Sequence, residues 1–264
     1  MTSVRDLRLL AVEIAQEAGE LARRRREEGV ALAATKSSLA DIVTEADREV
    51  EALIRARLVA ERPGDGFLGE ESGAEPGESG LTWVVDPIDG TVNYASGFPS
   101  YCVSIAVVEG EPEPELWTEV AGVVFAPALG ELFTAERGGG SWLGEKRLQV
   151  STPGAAGALL GTGFGYDPAT HDGDLATVRR VMPVARDLRR IGAAALDLAY
   201  VAAGRLDGFF ERGLKPWDVA AGSMLVREAG GAIAHPDPAD VTRRMTVAGS
   251  PALVAELVGR IRGD

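Results

Sequence analysis

The sequence predicts an α+β protein that passes into an α/β half: two helices beside a mainly antiparallel sheet over residues 1–140, then a smaller alternating region over 141–264. Three observations carry that reading. Helical periodicity marks the N-terminal segments; short Val- and Phe-rich runs broken by Gly, Pro and acidic turns begin at residue 67; strand-like and helix-like segments take turns after about residue 140.

Over residues 4–28, Leu7, Leu10, Ala11, Ile14, Ala15, Ala18, Leu21 and Ala22 fall on one helical stripe, and Gly29 supplies the stop. The Arg23–Arg26 run, followed by Glu27 and Glu28, reads as a solvated helix end. A polar stretch, ATKSSLAD (34–41), is expected to be a loop or hairpin tip. A second helix starts near Thr44, carries Val50, Leu53, Ile54 and Leu58, and ends at Arg62-Pro63-Gly64-Asp65. FLGEE (67–71), LTWVVDP (81–87), CVSIAVVEG (102–110), VAGVVFAP (120–127) and ELFTAERG (131–138) read as strands, with GAEPGESG (73–80) and EGEPEPE (109–115) as exposed turns. Beyond them, ALLGTGFG (158–165) reads as a strand, 172–182 as a helix and DLRRIG (187–192) as a strand or loop. A helix over 193–203, a strand at LDGFFE (206–211) and a helix over Val219–Ala229, stopped by Gly230-Gly231, complete the alternation.

Composition narrows the function classes. The chain has 264 residues, 45% hydrophobic and 25% charged, with a formal charge of −13, which disfavours direct contact with nucleic acid. No window approaches the run of about 18 apolar residues that spans a membrane, and no signal-peptide pattern opens the chain, so a cytoplasmic location is expected. One cysteine, Cys102, leaves no internal disulfide framework. Two histidines, His171 and His235, stand far apart, which argues against zinc–histidine chemistry or a histidine triad. Carboxylates are the abundant chemistry, and hard cations take oxygen ligands.

Three acidic segments concentrate that chemistry. In Trp83-Val84-Val85-Asp86-Pro87-Ile88-Asp89-Gly90-Thr91 an apolar strand runs into an Asp-Pro-x-Asp-Gly-Thr turn. There two carboxylates can converge on hard cations, and the Gly90-Thr91 amides suit a phosphate. The plainer reading is an Asx turn with Asp89 capping a helix. Phe67-Leu68-Gly69-Glu70-Glu71-Ser72 can aim one glutamate inward. Lys215-Pro216-Trp217-Asp218 opens a helix with Asp218 where an N-cap belongs.

GEES (69–72), WVVDPIDGTVNY (83–94) and KPWDVAAGSMLVREAGG (215–231) resemble segments of the inositol monophosphatase family, part of a wider group with fructose-1,6-bisphosphatase and the phosphoadenosine phosphate phosphatases. KSSLADIVTEAD (36–47) and RRIGAAALDLAYVAAGRLDGFFE (189–211) resemble further family segments in order and spacing, so the likeness runs along nearly the whole chain. Val92 stands where a second Thr is common and Tyr94 where Phe is common; LGTGFGY (160–166) matches more loosely.

The resemblance implies an alternating α/β/α/β/α layered sandwich, a homodimer, lithium sensitivity and a phosphomonoesterase acting on inositol 1-phosphate or a related polyol phosphate with two or three Mg2+ per site. Glu70 and Asp86, with the Ile88 carbonyl, would hold one magnesium. Asp86, Asp89 and Asp218 would hold a second, and Glu70 would reach a third through water. Thr91 with Glu70 would activate the attacking water, and the Gly90 and Thr91 amides would cradle the phosphate. Asp89, Gly192, Ala194, Glu211 and Asp218 would line the substrate, with Glu211 accepting from polyol hydroxyls. Lys36 and Asp41 resemble a loop over the metals, and Trp217 is expected to pack beneath the site. Rival readings keep the metals and change the ester to histidinol phosphate, or to fructose-1,6-bisphosphate with Arg189, Arg190 and Lys215 as cationic candidates. A scaffold beside the transcription machinery is the rival of another class.

Overall fold

The computed structural model describes residues 3–29, 32–35, 42–111, 116–236 and 243–263. Helix α1 (Val4–Glu28) opens on Ser3, whose hydroxyl accepts from the Asp6 amide. Strands β1 (Leu32–Thr35) and β2 (Ile42–Thr44) pair antiparallel and lead into α2 (Glu45–Glu61). Lys36 and Asp41, and with them the expected loop, lie outside the described residues.

Then follow β3 (Gly66–Gly69), β4 (Gly73–Glu75), β5 (Leu81–Asp89), α3 (Thr91–Ser96), β6 (Cys102–Gly110), β7 (Trp117–Ala126), β8 (Glu131–Glu136), β9 (Gly140–Leu143) and β10 (Lys146–Arg147). They form one eight-stranded sheet in the order β10-β9-β8-β7-β6-β5-β3-β4, antiparallel except for the parallel β3–β5 pair. The sheet therefore runs past residue 140, and the 73–80 turn contains a short edge strand.

The remainder comprises β11 (Ala158–Thr162), α4 (His171–Val181), β12 (Ala185–Arg189), α5 (Ala194–Ala202), β13 (Gly208–Arg212), α6 (Pro216–Glu228), β14 (Ala232–Ala234), β15 (Met245–Gly249) and α7 (Pro251–Arg262). Its five strands are ordered β12-β11-β13-β15-β14, parallel across β12-β11-β13 and antiparallel beyond. The last two strands and α7 had no reading at the sequence level.

Three apolar clusters show how the layers stack. Ile14, Ala18, Val50 and Ile54 of α1 and α2 pack on Trp83, Ile105 and Val123 of the large sheet. The opposite face of that sheet, through Val84, Ala106 and Val124, meets Leu196 and Leu198 of α5 and Met224 and Leu225 of α6, which also meet Phe209 and Ala248 of the small sheet. Leu160, Phe210 and Val247 then meet Val181 of α4 and Leu257 of α7. The order is helices, sheet, helices, sheet, helices, as expected. Helix α5 is buried on nearly every side because it is sandwiched, which explains its near-continuous Ala and Leu content. The Arg23–Arg26 run is a solvated ion-pair face: Arg23 pairs with Glu20 and Glu27, and Arg25 with Glu28 and Glu49.

The central layer depends on close approach. A Cβ at Gly222 of α6 would stand 2.5 Å from Leu198 Cβ on α5. Gly222→Ala should therefore lower stability by about 1–3 kcal/mol through overpacking, read as a fall in denaturation midpoint. An unchanged midpoint would show that the α5–α6 contact is looser than described.

Candidate active site

Asp86 and Asp89 sit three residues apart on β5, a spacing that points them to opposite faces of a regular strand. The pairing with β6 is irregular between them: Asp86 opposes Ser104 while Asp89 opposes Cys102, so three steps on β5 match two on β6. Pro87, which cannot donate to the ladder, lies in this bulge. The extra residue turns both carboxylates into one cleft. Asp86 Oδ1 accepts from the Ile88 amide at 3.0 Å, so the Asx turn belongs to Asp86. Asp89 does cap a helix, but a distant one: its oxygens accept from the Ala194 and Ala195 amides at the start of α5, at 3.2 and 2.7 Å.

Asp218 corrects another expectation. It is the third residue of α6, with Lys215 as the N-cap and Pro216 in the first position. Asp218 Oδ2 accepts from the Lys215 amide at 2.6 Å. The Ser104 hydroxyl donates to the Trp217 carbonyl at 3.1 Å, which seats the start of α6 against β6. Trp217 packs on the central core and also lines the cleft, so it is more than a floor.

Among the described residues, carboxylate oxygens of Asp86, Asp89 and Asp218 lie within 4.8 Å of one another. No arginine or lysine pairs with these three among the described residues; apart from the Cys102 thiol, 3.6 Å from Asp89 Oδ2, their donors are backbone amides. Burial first, then Glu70, Asp89, Asp218 and Asp47, push the Asp86 carboxyl well above its ordinary value of 3.8. Burial and then Asp89 do the same to Asp218. Burial raises Asp89 to about 6 against the pull of the Ala195 and Ala194 amides. Crowded hard oxygens with no protein cation fit a divalent metal.

The cleft has a volume of about 550 Å³. Glu70, just past β3, enters it, with its amide bonded to the Val85 carbonyl at 3.2 Å. Ile88, Gly90, Thr91, Gly192, Ala194 and Glu211 also line it, so every described candidate comes to one place. Gly163 to Asp167 form a further wall, on the stretch whose family match was looser. Arg190 and Lys215 line the cleft as well, whereas Arg189 is not in the lining and pairs with Asp187 at 2.6 Å. Glu211 is pushed up to about 8 by burial and by Asp89, so it is largely protonated at neutral pH.

Three residues with no role at the sequence level support this site from behind its lining. Asp47 closes a capping box at the start of α2, accepting from the Thr44 amide at 2.7 Å. Its other oxygen accepts from the Thr91 hydroxyl at 3.3 Å, and burial raises its carboxyl to about 6. Cys102 stands behind Asp89. Asn93 bridges α3 to the Ile191–Gly192 turn. Only the capping pattern, Thr44 three residues before an acid, was visible in the sequence. His171 and His235 meet the Gly165 and Met245 carbonyls, consistent with packing roles.

The inositol monophosphatase family profile matches residues 3–262. The chain belongs to that family. Family membership places it among phosphatases. An inositol-1-monophosphatase of Mesorhizobium japonicum is 48% identical over 200 residues, covering 75% of this chain and 73% of that one. The Nus factor SuhB of Xylella fastidiosa is 43% identical over 237 residues, covering 89% and 83%. The crystal structure of the extragenic suppressor protein SuhB from Bartonella henselae superposes with a TM-score of 0.87 at 38% identity, covering 96% of this chain and 97% of that one. No helix among the described residues is long and apolar enough to cross a membrane.

A carboxyl whose folded-state pKa is raised costs stability as pH climbs above its unfolded value, because the native state must give up a proton it prefers to keep. In chelator, Asp86→Asn should therefore raise the melting temperature at pH 8, by roughly 2–8 °C for a gain of about 1–2 kcal/mol. The gain should shrink toward pH 4. Equal melting at both pH values would show that Asp86 is not electrostatically crowded.

Proposed function

We propose that the protein is a magnesium-dependent phosphomonoesterase that hydrolyses a polyol phosphate, foremost inositol 1-phosphate, to the free polyol and phosphate. The observation that carries this reading is the convergence of Asp86, Asp89 and Asp218 within 4.8 Å, at the edge of a polar cleft and with no protein cation paired to them among the described residues. In this reading Glu70, Asp86 and the Ile88 carbonyl would hold one magnesium, and Asp86, Asp89 and Asp218 would hold another. Bound magnesium supplies charge neutralisation for the phosphoryl group and acidifies a water.

The chain's own groups do the rest. The Thr91 hydroxyl is 3.1 Å from the Ile88 carbonyl and 3.3 Å from Asp47, both acceptors, so its proton is committed inward. Its lone pairs then face the cleft, so Thr91 can take a proton from an attacking water that Glu70 orients while passing its own proton to the Asp47 carboxylate. Amides in the first turn of α3 have no intrahelical acceptor, and those of Gly90 and Thr91 line the phosphate end.

Substrate class follows from Glu211. Burial pushes the Glu211 carboxyl up, and a carboxyl that can carry a proton meets a polyol hydroxyl as donor or acceptor, whereas the ammonium of histidinol phosphate needs the carboxylate. Arg190 and Lys215 at the rim keep a bisphosphate in the comparison. One observation favours a role beside the transcription machinery: a relative carries the name Nus factor SuhB. A pull-down with polymerase components tests that role.

Phosphate release with magnesium, measured on inositol 1-phosphate, histidinol phosphate, fructose-1,6-bisphosphate and phosphoadenosine phosphate, is expected to favour inositol 1-phosphate. Asp86→Asn should lower kcat by on the order of 10²–10³, the scale of losing one transition-state stabilising group. Folded, magnesium-saturated protein that releases nothing from any ester would contradict the enzymatic reading.

A further inference from the structure

The two halves of the cleft meet at one side-chain amide. Asn93 Nδ2 on α3 donates to the Ser100 carbonyl at 2.7 Å and, across 98 positions of sequence, to the Ile191 carbonyl at 2.8 Å, with the Gly192 carbonyl at 3.4 Å. All three partners are acceptors, so the amide has one orientation that satisfies them. The backbones it joins are in near-contact: a Cβ on Gly90, which has φ +90°, would lie 3.0 Å from the Ser100 carbonyl and 3.1 Å from the Gly192 carbonyl.

What this amide holds is a half-buried turn, anchored otherwise by the β12–β11 ladder that ends at Arg189 and by Ile191 packing on the central core. Helix α5 is fixed by its own burial and by the Asp89 carboxylate. The preceding Arg189 and Arg190 are exposed and Ile191 and Gly192 only half-buried, with Gly192 in the left-handed region at φ +86°. Yet Arg190 and Gly192 both line the cleft, and Arg190 faces Glu211, whose carboxyl its charge draws down against the effect of burial. The phosphate end of the cleft is built from β5 and α3; Gly192 adjoins it at Gly90, and Arg190 and Glu211 line the same cleft from the second half of the chain.

We infer that Asn93 is a positioning residue for the leaving alcohol: it clamps the Arg190–Gly192 turn against the Gly90–Ser100 segment and so fixes the wall on which the polyol lies. This rests on the proposed phosphomonoesterase reading. The metal-side carboxylates do not depend on the clamp, because α5 keeps its amides on Asp89 without it. Loss of Asn93 thus separates two functions: recognition of a hydroxyl-rich alcohol fails while magnesium binding and attack on phosphorus persist.

The test is steady-state kinetics of Asn93→Ala and Asn93→Asp on inositol 1-phosphate and on p-nitrophenyl phosphate, whose alcohol carries no hydroxyls to place. The magnesium-induced rise in melting temperature is measured alongside. Asn93→Asp keeps the shape and removes the donors, so it serves if the alanine variant fails to fold. KM for inositol 1-phosphate should rise about tenfold or more, within the range that small misplacement costs. The kcat/KM for p-nitrophenyl phosphate should stay within about threefold, and the magnesium shift should match wild type, if the clamp acts only on the alcohol wall. Equal losses on both esters, no loss on either, or a lost magnesium shift would overturn the inference and leave the proposed function standing. Wild-type protein that turns over p-nitrophenyl phosphate but no polyol ester would overturn the polyol reading, and this inference with it.

Discussion

Three carboxylates that repel one another, two buried and one half-buried, meet where the large sheet joins helices α5 and α6, and much of the surrounding structure serves to keep them there. Asp86 and Asp89 cannot separate because the β5 bulge fixes both in one rigid strand, between ladder bonds to β6. Asp218 cannot withdraw because its own helix uses it, through the Lys215 amide. The compensating donors are amides and one thiol, which orient a carboxylate without neutralising it. Such a group is stable with protons or with cations from solution, and that choice couples metal, pH and stability.

The sandwich is what makes the crowding tolerable. Asp89 is tied to the start of α5, a helix that both sheets enclose, so moving the carboxylate would disturb the middle of the molecule. Capping has been reused throughout. Asp47 closes the box at α2 while its second oxygen engages Thr91, and Asp218 closes the first turn of α6 while it faces the cleft. Asp47 and Asp218 therefore each have a local role at a helix start and a second oxygen left for the site.

Much of this was legible in the sequence, for physical reasons. The apolar stripe of α1 and the Val-rich runs of the large sheet read correctly because one-sided burial imposes a period. The four acidic positions could be singled out because three motifs stood in family order, and all four line one cleft. Asp218 was misplaced by three positions within its helix, because Pro216 at the first position pulls the helix start forward of the acid. The partnership of Asp47 with Thr91 and the bridge from Asn93 to Ile191 were illegible, since contacts across 44 and 98 positions leave no local pattern. Cys102 had no role in the sequence reading, and only the register of β5 on β6 puts it behind Asp89.

The most direct measurement is the number of protons released when magnesium binds, obtained by titration calorimetry near pH 6.5 in buffers of different ionisation enthalpy. Because Asp86 and Asp218 are held well above their ordinary carboxyl range and Asp89 is raised to about 6, metal must displace protons that the empty site retains. The expected result is release of about one proton or more per chain, falling as pH rises, with Asp86→Asn releasing fewer. Magnesium binding with no proton release at any pH, or no binding at all, would contradict the central claim that repulsion among these carboxylates is what the metal relieves.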